Sequence, residues 1–161
     1  MNELHDRVVG AVEDFGLAVT VHDHANLDCP VDSPKDLSDA LGISLDRITK
    51  SVLLKQQSSN KFVLAVCPVN KKIDMKAISI HCEMGRMEVA GPGALTKNLG
   101  YQRLGVSPLG LPNHILVVID KSLLTHRTVL VGGGNAGIEV ELNPEDLAQV
   151  CDAEIVEIAD G

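Results

Sequence analysis

The chain has 161 residues, 45% of them hydrophobic, which is enough for the core of one domain and too apolar for a disordered segment. Its formal net charge of −8 argues against broad, unaided nucleic-acid binding, and with no Trp, one Tyr and two Phe it has few platforms for stacked bases. No run approaches the roughly 18 uninterrupted apolar residues of a membrane span, and MNELHDRVVGAVEDFG has no signal-peptide pattern, so a cytoplasmic protein is expected.

Residues 2–14 fit an amphipathic helix ended by Phe15-Gly16; Leu17–His24 reads as a strand and Ala25–Asp32 as a loop. Ser33-Pro34-Lys35-Asp36 has the spacing of a capping box, and Leu37, Ala40 and Leu41 supply an apolar stripe before Gly42. Arg47–Lys55 and Lys61–Val69 are strands joined by the polar turn QQSSN. Ile73–Met84 and Pro92–Leu99 look helical, each closed by a glycine (Gly85, Gly100). After the loop LGVSPLGLPN come the strand His114–Ile119, a glycine-rich segment, a helix near Pro144–Val150 and a strand around Glu154–Ile158. The uninterrupted apolar runs FVLAVC and ILVVI imply strands buried on both faces. The expectation is a single mixed α/β domain over residues 1–161, a curved mixed sheet or barrel-like core surrounded by helices.

The segment Thr128–Leu147, TVLVGGGNAGIEVELNPEDL, contains Gly132, Gly134 and Gly137 in a GxGxxG pattern. A dinucleotide loop needs a helix N-terminus straight after the glycines, to meet a pyrophosphate. Here the glycines lead instead into Ile138-Glu139-Val140-Glu141-Leu142, whose alternation is that of a half-buried strand and whose glutamates would repel phosphate. The helix begins only later, with Asn143 as cap and Pro144 at its first position. A nicotinamide cofactor is therefore not indicated, and no other cofactor is expected.

Lys50 is the charged residue that pattern makes hardest to place. Alternation puts it on the face of Ile48, Val52 and Leu54, so it needs an acidic partner, a lowered pKa, an opening to a pocket, or a strand-end position with its head in water. The stretch Leu104–Pro112 carries two glycines and two prolines, which fix an irregular backbone able to offer its own N–H and C=O groups to a ligand, or simply a tight turn. Cys29, Cys67, Cys82 and Cys151 form no CxxC pair, so neither a structural zinc nor a redox dithiol is indicated. His22 and His24 share a strand face without a third suitably spaced ligand, so no metal is expected. Ser107, in GVSPLG, lacks the glycine spacing of a nucleophile elbow. Glu139 and Glu141 share an outward face, where solvation is the default.

In order along the chain, ITKSVLLK, FVLAVCPVNKKID, GYQRLGVSPLGL and VLVGGGNAGIEVELNPEDL resemble the YbaK/prolyl-tRNA editing-domain family of aminoacyl-tRNA deacylases. That resemblance implies a mixed α/β domain with a barrel-like sheet that hydrolyses the ester of a wrong amino acid on tRNA, most often tRNA for proline. It places the family's lysine on Lys50, its GxxxP loop on Leu104–Pro108 and its acidic position on Glu139. The implied catalytic set is Lys50, Gly105, Ser107 and Pro108; Ser51, Leu104, Val106, Gly132, Gly133, Gly134 and Glu139 would bind substrate. Leu104 stands where the motif has glycine and is expected to narrow the pocket or shift the backbone. Gly132 replaces a serine of cysteine-specific relatives, and Ala25–Asp32 departs from the family's pocket wall.

The implied partners are the 3′ end of an aminoacyl-tRNA and an aminoacyl-tRNA synthetase for proline, with neither DNA nor membrane. A basic patch of Lys50, Lys55, Lys71, Lys72 and Arg103, or the synthetase, would offset the acidic charge. Two other readings stay open: a non-catalytic descendant that binds a nucleotide, a tRNA end or a synthetase, and an unrelated small-molecule enzyme using the same glycine pocket.

Overall fold

In the computed structural model, which describes residues 1–160, the central element is the hairpin of β2 (Thr49–Gln56) and β3 (Phe62–Pro68). Its register runs from Thr49 opposite Pro68 to Lys55 opposite Phe62. β6 (Leu116–Asp120) lies parallel to β3, β9 (Glu154–Val156) parallel to β6, and β5 (Met87–Val89) antiparallel to β2. Every residue of β3 is buried. Leu64 and Val66 enter one apolar cluster, while Val63 and Ala65 enter a second on the opposite face, as the apolar run predicts.

A second sheet orders β1 (Val19–Asp23), β8 (Ile138–Leu142) and β7 (Val129–Gly132), with β8 central and antiparallel to both. The short strands β4 (Lys72–Ile73) and β10 (Ala159–Asp160) pair with each other. The two larger sheets meet at a parallel bridge between Ile48 and Leu130, reinforced by the Thr49 hydroxyl donating to the Leu130 carbonyl at 2.7 Å. The core is thus mixed, but no closed barrel forms among the described residues: the strands divide into separate sheets, with three-residue β5 and β9 ending the larger one.

The helices are α1 (Asp6–Phe15), α2 (Pro34–Leu41), α3 (Met75–His81), α4 (Pro92–Leu99) and α5 (Pro144–Cys151). Ser33 caps α2 by accepting from the Asp36 N–H, and Asn143 caps α5 through Glu145 and Asp146. Two boundaries differ from expectation for physical reasons. α1 starts at Asp6, not near residue 2, because Asn2 and His5 bond instead to the glycine segment, and the His5 ring caps the helix by accepting from Arg7 N–H at 3.1 Å. α3 is shorter than residues 73–84: Ile73 joins β4, Asp74 caps the helix, and Glu83 takes the left-handed turn (φ 53) assigned to Gly85. β5 occupies a stretch to which the sequence assigns no element.

The C-terminal strands are tied to the core by Asp120, which is 2% exposed. One carboxylate oxygen accepts from Ile158 N–H at 2.9 Å and Ala159 N–H at 3.2 Å. Replacing Asp120 by Ala strands those donors and is expected to cost about 1–3 kcal/mol in urea denaturation; a loss below about 0.5 kcal/mol, within the usual range of a neutral surface change, contradicts the tie.

Candidate functional site

The Gly-Pro loop after α4 and the glycine segment after β7 pack backbone against backbone. A Cβ on Gly105 would stand 2.7 Å from the Gly134 carbonyl oxygen, and one on Gly132 would stand 2.3 Å from that of Val106. No side chain fits at either contact, so glycine is required there by close approach. Gly134 needs glycine twice over: its φ is +90°, and a Cβ would meet His5 Cβ at 2.3 Å. Gly133 faces Ile138 and Leu4.

Both bends are held from behind. The Tyr101 hydroxyl donates to the Leu109 carbonyl, Leu109 N–H donates to the Ser107 hydroxyl at 3.2 Å, and the Cys151 thiol donates to the Pro108 carbonyl at 3.2 Å. Burial pushes that thiol up to about 12, so it persists as a neutral donor. The N-terminal residues strap the glycine segment: His5 N–H donates to the Gly133 carbonyl at 3.0 Å, the Asn2 amide to Gly137 at 3.1 Å, and the Asn135 amide to Glu3 at 2.9 Å. Tyr101 spans both bends, since its ring also takes the His5 ring edge-on at 4.9 Å.

Beside the loop lies a cleft of about 450 Å³. Ser51, Val52 and Leu53 of β2 form one wall; Val89, Ala90, Pro92 and Leu95 form another; Arg103 and Val106 close it. The Ser51 hydroxyl is buried there without a hydrogen-bond partner. A lone buried hydroxyl is costly unless something satisfies it, and Ser51 and Arg103 are the polar residues of a lining that is apolar elsewhere.

The sequence-derived set is brought together only in part. Ser51 and Val106 share the cleft, and Arg103, flagged only as a patch cation, joins them. Lys50 and Gly132–Gly134 are not among the cleft's walls. Lys50 is half-buried opposite Cys67, on the alternate face of β2 from Ser51, and no carboxylate lies within 4.0 Å of its amine among the described residues. Of the alternatives for Lys50, an acidic partner is therefore not the one realised. Leu104 is 83% exposed and does not narrow the hollow. Ser107 is fully buried with its hydroxyl engaged in the turn, and Pro108 lines a separate hollow against α1 and α5. The β5–α4 wall is absent from the sequence reading, which has the helix Pro92–Leu99 but neither β5 nor what that helix faces.

The outward face of β8 is not solvated as expected. The His22 ring lies 2.8 Å from one Glu141 oxygen, while Arg47 at 3.3 Å and the Thr128 hydroxyl hold the other. That hydroxyl contributes most to keeping Glu141 below the usual carboxylate range, with His22 and Arg47 assisting against burial. Glu139 has no such donors, and burial pushes it up to about 7. His24 Nε2 lies 3.3 Å from Glu139 but is not aligned for a hydrogen bond, and burial lowers its own value. Among the described residues no three His, Cys, Asp or Glu side chains converge as a metal site would.

This geometry has two measurable consequences. Tyr101→Phe leaves the Leu109 carbonyl without its donor and is expected to lower stability by about 1–3 kcal/mol; an unchanged melting temperature contradicts its role as a pin. Glu139 has a folded-state value above its ordinary 4.5, so its charge costs nothing below that pH and costs most above about 7. Glu139→Gln is therefore expected to gain stability relative to the parent as pH rises from 4 to 8, by at most about 3 kcal/mol. A difference independent of pH contradicts the buried-carboxyl assignment.

Comparison with known proteins gives a consistent result. The family profile described as "Aminoacyl-tRNA editing domain" matches residues 28–150. A candidate Cys-tRNA(Pro)/Cys-tRNA(Cys) deacylase of Enterococcus faecalis is 25% identical over 126 residues, covering 78% of this chain and 76% of its own. Among solved structures, a candidate trans-editing enzyme for prolyl-tRNA synthetase superposes with a TM-score of 0.84 at 21% identity, over 99% of this chain and 100% of that one. A hypothetical protein matches equally well, with a TM-score of 0.84 at 21% identity over 96% of this chain and 100% of that one. At that identity the structural likeness speaks for the fold. With the profile spanning most of the sequence, the chain belongs to the aminoacyl-tRNA editing domain family.

Proposed function

We propose that this chain, acting as one editing domain along its whole length, hydrolyses the ester of a mischarged tRNA, with a small non-cognate residue such as Ala or Cys on tRNA for proline as substrate. The observation that carries the reading is the unpartnered Ser51 hydroxyl in an apolar hollow of about 450 Å³, beside Val106 of the Gly-Pro loop. A small aliphatic or thiol side chain suits those walls, and the hydroxyl offers one polar contact to the ester or the terminal ribose. Size selection of this kind is worth about 1–3 kcal/mol per methylene, which is why a separate hydrolytic step is useful.

Hydrolysis needs a docked ester, a placed attacking group and stabilisation of the oxyanion. The hydroxyls and thiol nearest the cleft have no partnered base: Ser51 is without any partner, Ser107 is spent on its turn, and burial raises Cys67 to about 11. The attacking group is then a water or a group of the substrate. Lys50, free of an acidic partner but on the other face of β2 from Ser51 and outside the cleft walls, is assigned the terminal phosphate and not the ester carbonyl. Backbone groups of Gly105–Pro108 and Gly132–Gly134 are assigned to hold the shape of the site, and Glu139, opposite Gly132 in the strand register, is assigned to substrate binding. The chemistry calls for no cofactor. Action in the cytoplasm, with recruitment by a synthetase for proline, fits a chain whose net charge of −8 opposes RNA.

A binding-only descendant is the second reading, favoured by the position of Lys50 outside the cleft walls. Deacylation assays on tRNA for proline charged with Ala, Cys or Ser, with the proline-charged form as control, separate the two. Turnover of a small residue with proline spared is expected. Lys50→Ala and Ser51→Ala are expected to lose about 10²-fold or more in rate, the usual scale for one stabilising group, at unchanged melting temperature. Wild-type rates in both folded variants overturn the assignment of these residues, and no turnover of any ester favours the binding-only reading.

A further inference from the structure

A second hollow, of about 670 Å³, adjoins the cleft and shares Val89 and Ala90 with it. Its lining has a different character. Lys55 of β2, Lys97 of α4 and His114 face it, with the amide of Asn60. Glu88 is the one acidic residue in that lining. Glu88 sits opposite Lys55 in the strand register, yet neither Lys55 nor Lys97 has a carboxylate within 4.0 Å among the described residues. In a chain with 22 acidic and 14 basic residues, a hollow lined by two lysines against one glutamate is the reverse of the average surface. Arg103, on the cleft wall, extends the same sign toward the Gly-Pro loop.

We infer that this hollow receives the phosphate backbone of the single-stranded RNA 3′ end whose terminal ester enters the cleft. The inference rests on the function proposed above and names the surface that reaction needs. An ester at the end of an RNA strand cannot enter alone: the preceding phosphates must leave across the cleft rim, and the ridge of Val89 and Ala90 leads into the hollow. No aromatic side chain other than Phe62 and His114 lines it. Contacts are therefore to charge and not to stacked bases, so binding is salt-dependent and tolerant of base identity. The first turn of α4, which has Gly91 at its cap position and so no side-chain cap, lines the same hollow and adds to its positive potential.

The test is the double substitution Lys55→Glu, Lys97→Glu, read in three assays. With mischarged tRNA, kcat/KM is expected to fall at least ten-fold, and the slope of log Kd against log salt to drop by about 1.4 for two lost single-strand phosphate contacts. With the same amino acid esterified to adenosine alone, the rate is expected to match the parent. With a labelled, uncharged oligonucleotide of the tRNA 3′ end, Kd is expected to rise at least ten-fold, and changing its bases is expected to matter little. Unchanged oligonucleotide affinity, or an equal loss on tRNA and on the adenosine ester, overturns the inference. Weakened oligonucleotide binding in a protein that hydrolyses no ester upholds the surface and defeats the proposed reaction, so the two failures are distinct.

Discussion

Everything at the candidate site depends on two stretches of main chain touching without side chains between them. Gly105 and Val106 lie against Gly132, Gly134 and Asn135 at distances a Cβ would violate. That contact removes the freedom of two irregular segments at once. It also explains why so much of the neighbouring structure is rear support: the buried Tyr101 hydroxyl, the Ser107 turn, the Cys151 thiol and the N-terminal strap all bond to these bends or to residues that flank them. The cleft then inherits its shape from a fixed loop on one side and the β5–α4 wall on the other.

Charge is sorted around that frame. Glutamates cluster on the face of β8, where Glu141 is satisfied by Thr128, His22 and Arg47 while Glu139 is held near neutrality by burial. Cations without partners collect around the cleft and the hollow beside it. An acidic protein meets an RNA substrate through such local sorting, because its total charge works against the encounter.

Much of this was legible in the residues. The strict alternation of Ile138–Leu142 identified a strand where a glycine motif suggested a nucleotide loop, and β8 shows that alternation in its burial. The all-apolar FVLAVC run is buried throughout. Caps at Ser33 and Asn143 were readable because capping is local chemistry. What escaped was decided by distant partners. The start of α1 moved because Asn2 and His5 bond across the fold, and the burial of Glu139 comes from packing that a period of two does not encode. Lys50 was recognised as unusual, but the cleft opened beside Ser51, one residue on and facing the other way. Leu104 marks a motif departure whose side chain lies in solvent, so its cost to pocket size vanishes once its direction is known.

The most direct measurement is the pair Gly132→Ala and Ile78→Val, compared for stability and deacylation rate. Ile78 of α3 lies fully buried in the separate apolar cluster, so trimming it loosens the fold remotely, by about 0.5–1.5 kcal/mol. The added methyl at Gly132 forces the two bends apart, with an expected loss of about 1–3 kcal/mol from overpacking. The account predicts that the valine variant keeps the parent's rate while the alanine variant loses most of it at a temperature where both are folded. An alanine variant with the parent's stability and rate would contradict the claim that main-chain contact between the bends builds the site.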